Sequence, residues 1–116
     1  MKDYIEGFEN HSARIISCKI KLKDEYLHII QVYAPTTSYD DADIDVFYND
    51  LENAIDRKKC KQFIIMGDLN AKIGIKENNG DNEWIGPHGI GARNERGEKL
   101  RDFVSTNKMY ITNSFF

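Results

Sequence analysis

From Arg14 to Lys23 the chain alternates, with Ile16, Cys18, Ile20 and Leu22 pointing one way and Ser17, Lys19, Lys21 and Lys23 the other. That two-residue period predicts a strand with one buried and one solvated face. A polar turn, Lys23-Asp24-Glu25, leads into Tyr26–Tyr33 (YLHIIQVY), β-branched and aromatic enough to be its antiparallel neighbour. Ala34-Pro35-Thr36 stops this second strand, because proline lacks the N–H that a ladder requires, and Tyr33 is left at its carboxyl-terminal lip. After Asp40, Asp41 and Asp43, the apolar residues Ile44, Phe47, Leu51, Ala54 and Ile55 recur every three or four positions, which predicts one face of a helix. The early acids suit the positive end of the helix dipole, and Arg57, Lys58 and Lys59 suit the negative end.

Phe63-Ile64-Ile65-Met66 is apolar without alternation, the pattern of a central strand covered on both faces, and Gly67 ends it. Positions 71–96 carry Gly74, Gly80, Gly86, Gly89 and Gly91 among Asn and Asp, predicting a long surface loop. From Glu98 onward Leu100, Phe103 and Val104 mark a second helix, and 109–113 (MYITN) a further short strand. Phe115 and Phe116 are aromatics that favour burial, so the chain reads as a fold cut off before its next element.

The 116 residues, 41% hydrophobic and 30% charged, are expected to form a single α/β domain rather than a disordered tail or a rod. A net charge of −3 gives no general attraction for nucleic acid, and the Lys19–Lys23 and Arg57–Lys61 runs read as solvated faces. Cys18 and Cys60 are too few and too far apart for a disulfide framework or a zinc site. Asp3, Glu6 and Glu9 exclude a signal-peptide core from the first ten residues, so the expected location is intracellular, nuclear or cytoplasmic, and not secreted.

Chemistry is expected where strands end and loops begin, which singles out GDLN, residues 67–70. A carboxylate at Asp68 can accept a proton from water or join an oxygen site for Mg²⁺, and the Asn70 amide can hold a phosphate oxygen. If the strand continues, its period puts both on one side. The same residues also suit a turn in which Asp and Asn cap backbone groups. Trp84 suits an apolar anchor or a stacking surface. Arg93, Asn94 and Arg96 suit phosphate contacts or a polar lead into the second helix. His28, inside a strand, reads as a packing or edge residue rather than a catalytic or ligating one.

In order along the chain come YAPT (Tyr33–Thr36), an amphipathic helix, IIMGDLNAKIG (Ile64–Gly74), GARNERGEKLRDF (Gly91–Phe103) and ITNSFF (Ile111–Phe116). This series resembles the endonuclease/exonuclease/phosphatase family, above all the endonuclease domains of non-LTR (LINE-like) retrotransposons and the craniofacial development protein 2-like sequences. The resemblance implies a partial four-layer α/β sandwich of the DNase I-like type, lacking N- and C-terminal elements, that cleaves phosphodiester bonds with Mg²⁺ or Mn²⁺. It gives Asp68 the attacking water, Asn70 the scissile phosphate and Tyr33 a place near the phosphate or leaving oxygen. Thr36 stands where the family often has Asn, which leaves that phosphate-orienting contact weaker or absent, and Thr36, Arg93 and Asn94 are the expected substrate contacts. DNA is the implied substrate, and a reverse-transcriptase region or flanking segments of a parent protein are the implied partners.

The family draws its metal-binding Glu from before the start of this chain and an Asp–His pair from beyond its end. Asp68 and Asn70 would then make only an incomplete metal site, and the expected outcome is a fragment with weak or no hydrolytic activity alone. Two alternatives stand beside it: a non-catalytic, nuclease-derived binding or interaction module, and a phosphatase for small phosphoesters.

Overall fold

The computed structural model describes residues 5–77 and 83–115. Gly80 of the expected loop and the terminal Phe116 lie outside the described residues. The chain divides into two compact units, one running to Leu69 and the other from Asn70, and the described residues of the two contain a mixed four-stranded sheet and two α-helices.

The first unit holds the sheet, β1 (Ile5–Ser12), β2 (Ile15–Lys21), β3 (Tyr26–Tyr33) and β4 (Cys60–Asp68), in that spatial order. The expected hairpin is β2–β3, with Ile16 opposite Gln31 and Cys18 opposite Ile29. β1 precedes it as an additional antiparallel strand. Its alternation is hidden in the sequence by Glu6, Gly7 and Glu9 and by register shifts on either side of Phe8–Asn10. Helix α1 (Asp41–Ala54) connects β3 to β4, which pair in parallel. Asp40 caps it by accepting from the Asp43 N–H at 3.0 Å, satisfying one of the orphan donors of the first turn. Its Ile44, Phe47, Leu51 and Ala54 are buried, together with Ile15, Ile30 and Val32 of the sheet.

Three expectations for this unit are corrected. The face of β2 that goes inward carries Ile15 and Ser17 rather than Ile16: Ser17 is 3% exposed and Ile16 43%. Ser17 is accommodated by a 2.7 Å hydrogen bond to His11 Nε2, and Lys19 by carboxylates on either side, Asp56 at 2.9 Å and Glu9 at 3.2 Å. Buried polar groups are tolerated when partnered in this way. Likewise, among the described residues, β4 is not covered on both faces. It is an edge strand, and Ile64 and Met66 are 48% and 51% exposed. Finally, Arg57, Lys58 and Lys59 lie past the end of α1 rather than in its last turn. Arg57 pairs with Glu52 and Lys59 with Glu6.

The second unit holds α2 (Glu95–Thr106) and a short 3₁₀ turn, Thr112–Ser114. Helix α2 begins three residues before the expected Glu98, because Asn94 is its cap and accepts from the Gly97 N–H at 2.7 Å. The expected strand at 109–113 is reduced to a single parallel bridge between Ile111 and Ile85. Lys108 turns the chain with φ 54° just before it, and the Tyr110 ring meets Trp84 and Phe115 edge-on. Trp84 thus serves as an anchor among aromatics. The loop is stitched by its backbone: Ile75 N–H donates to the Gly91 carbonyl at 2.8 Å, and Asn94 N–H to that of Lys72 at 3.1 Å.

Candidate functional site

Parallel pairing of β3 and β4 brings two residues far apart in sequence to one place. Tyr33 and Asp68 are register partners, each the last residue of its strand. Partners in register share a face of the sheet, so phenol and carboxylate stand side by side at the carboxyl ends. Tyr33 is 55% exposed and Asp68 is exposed as well. The Asp68 carbonyl accepts from the Ala34 N–H at 2.8 Å, which carries the ladder one step past Tyr33. Pro35, buried, ends it there.

Gly67 fixes where Asp68 begins. Its φ is +122°, and a β-carbon at this position would overlap the Val32 carbonyl. Only glycine permits that approach at low cost, so the GD dipeptide is a backbone requirement as well as a chemical one. Beyond Asp68 the strand stops, and Asn70 adopts φ 45°. The strand does not continue to Asn70, so the condition under which its period would set both side chains on one face is not met.

Thr36 follows in a tight turn, its Oγ1 hydrogen-bonded to Ser38 Oγ at 2.7 Å and its carbonyl accepting from the Tyr39 N–H at 3.1 Å. Arg14, which carries no local sequence signal, stands beside Tyr33. Its carbonyl accepts from the Tyr33 N–H at 2.9 Å, and its guanidinium donates to the Tyr33 carbonyl at 3.1 Å. The guanidinium also lies 5.8 Å from the centre of the Tyr33 ring and 5.0 Å from that of Tyr39.

Asn70, Arg93 and Asn94 belong to the second unit. Arg93, with a side chain 1% exposed, donates from Nε to the Ile73 carbonyl at 2.7 Å and lies 3.8 Å from Glu77. Asn94 Oδ1 accepts from both Gly97 and Lys72 N–H groups. Both side chains are occupied in holding the loop against the start of α2, so the structure brings together Tyr33 and Asp68 of the expected set and gives Arg93 and Asn94 architectural work.

Among the described residues no group of three or more His, Cys, Asp or Glu side chains could hold a metal ion. Divalent cations such as Mg²⁺ take oxygen ligands, and a single carboxylate with neighbouring amide or phenol groups supplies little of the charge they need. The described residues do not by themselves fit a complete Mg²⁺ or Mn²⁺ site.

Away from the strand ends lies a second polar cluster. Buried His28 accepts from the Asp56 N–H through Nδ1 at 3.4 Å. Burial, and then the Lys19 charge, push its pKa below the usual histidine range. Hydrogen bonding to Asp56 holds the Lys19 ammonium above its ordinary value, and Lys19 in turn holds the Asp56 carboxyl below its own.

Comparison with known proteins places the chain in a family. The family described as endonuclease-reverse transcriptase matches residues 27–115, a span that contains Tyr33, Asp68 and Asn70. Craniofacial development protein 2 from Bos taurus is 35% identical over 117 aligned positions covering the whole of this chain, and its counterpart from Tragulus javanicus is 34% identical over the same span. The chain covers 19% and 20% of these relatives, about a fifth of their length. No solved structure matches it. On the sequence match and the mixed α/β fold together, the chain belongs to the endonuclease/exonuclease/phosphatase-like family, in the group described as endonuclease-reverse transcriptase.

Proposed function

We propose that the chain supplies part of a phosphodiester-hydrolysing site in which Tyr33 and Asp68 act together on DNA. The observation that carries this reading is their register pairing at the exposed ends of two parallel strands. In the reaction, water adds to phosphorus while the bond from phosphorus to the leaving sugar oxygen breaks. Asp68 accepts the proton of the attacking water, and the Tyr33 hydroxyl donates a hydrogen bond to the oxygen on which charge builds. The expected dependence on Mg²⁺ or Mn²⁺ is part of the proposal, but a cation needs ligands beyond the described residues, and no step here is assigned to one. With a single carboxylate in place the 116-residue chain is a weak catalyst.

The test is nicking of supercoiled plasmid by this chain in Mn²⁺. Slow nicking is expected, reduced about 10²–10⁴-fold in Asp68→Ala, the usual cost of losing a general base. Nicking that is equal in the two proteins, or absent from both, overturns the proposal. Asn70→Ala assayed alongside reads the contribution of the amide.

A further inference from the structure

The strand tips carry a cation that the chemistry above does not use. Arg14 sits in the turn between β1 and β2, with its guanidinium set against the rings of Tyr33 and Tyr39 and one N–H given to the Tyr33 carbonyl. A guanidinium has five N–H donors in a planar fork. Among the described residues no carboxylate pairs with Arg14. Two aromatic faces and a backbone bond fix the fork, so little of its freedom remains to be lost when it takes a ligand. Both rings are substantially exposed. A chain of net charge −3 has no diffuse positive field, so an anionic polymer needs a local anchor.

A fixed guanidinium matches a phosphate with two parallel N–H···O bonds. An exposed aromatic ring beside it offers a stacking surface, and bases can use that surface only where they are not already stacked in a duplex. From this geometry we infer that Arg14 and Tyr39 grip a single-stranded segment of nucleic acid next to the Tyr33–Asp68 pair, the guanidinium on a backbone phosphate and the Tyr39 ring on an unpaired base. The inference rests on the phosphodiesterase reading for the placement of the strand, and it names the substrate form that reading leaves open.

The test is fluorescence anisotropy of the 116-residue chain with a fluorescein-labelled oligothymidylate in EDTA, over a range of NaCl concentrations. A duplex and an abasic sugar–phosphate strand of equal length serve as comparators. The single strand is expected to bind more tightly than either. Arg14→Gln should flatten the slope of log K against log salt by about 0.7, the contribution of one phosphate contact on a single strand, and Arg14→Lys should restore it. A merely structural role for Arg14 would weaken both variants and leave the slope alone. Tyr39→Ala should lose about tenfold in affinity for the single strand, none for the abasic strand, and Tyr39→Phe should recover it. An unchanged slope in Arg14→Gln, equal binding of duplex and single strand, or no binding at all overturns the inference. Asp68-dependent nicking combined with an unchanged slope rejects the grip and keeps the phosphodiesterase. The expected slopes without Asp68-dependent nicking do the reverse.

Discussion

Gly67 and His28 show how single residues hold the site and the sheet beneath it. Since a β-carbon at Gly67 would overlap the Val32 carbonyl at positive φ, Gly67→Ala is expected to cost about 2 kcal/mol or more in urea unfolding. A change below about 0.5 kcal/mol, the range of an ordinary surface substitution, would contradict the close approach. His28 gives a pH dependence. Its folded-state pKa is pushed below the ordinary 6.5 by burial, so the unfolded chain binds the extra proton first. The stability that neutral His28 provides is full above pH 6.5 and is lost as pH falls from there toward the lower folded value. Unfolding followed across that window should show the fall in the wild type and a flatter profile in His28→Leu. That Tyr33 and Asp68 stand at strand ends was legible in the sequence, because Pro35 and Gly67 mark those ends locally. Arg14 was not, since what brings it to Tyr33 is the pairing of strands and a turn, neither of which leaves a mark at position 14.

At the scale of elements, the hairpin and α1 follow directly from alternation and from three-and-four spacing. The faces of β2 do not. Ile16, Cys18 and Ile20 look like the buried set, yet Ser17 lies inward because His11 partners it, and Lys19 because Asp56 and Glu9 do. Those partners come from β1 and from the turn after α1, beyond the reach of a local pattern. The FIIM run of β4 misled similarly: an unbroken apolar string looks the same whether its second face is covered or open. Helix α2 carries a clear apolar signal, but its first turn, from Glu95, lies ahead of the first apolar position. Asn94 is its cap and also receives the Lys72 N–H, so Asn94→Ala is expected to destabilise the second unit by about 1–2 kcal/mol. Hydrogen exchange would register this at Lys72 and Gly97 first. Protection unchanged at both amides would contradict the cap.

At the scale of the molecule, one sheet face carries Phe8, Ile16, Ile64 and Met66, all exposed, and exposed apolar surface of this kind promotes association. Replacing Ile16, Ile64 and Met66 together by Thr, Thr and Gln should leave the unfolding midpoint nearly unchanged while lowering dye binding and aggregation. A large loss of stability would mean that this face is covered in solution. The family was legible from the order of its motifs, and the match over residues 27–115 agrees. What the chain acts on was not, and it spans only about a fifth of the length of its curated relatives.

The claim on which most depends is that Tyr33 and Asp68 work as one unit. A double-mutant cycle on the plasmid-nicking rate with Tyr33→Phe, Asp68→Asn and the pair addresses it directly, since groups that act together are strongly non-additive. The account predicts a double variant about as slow as Asp68→Asn alone. Rate losses that simply multiply would contradict it.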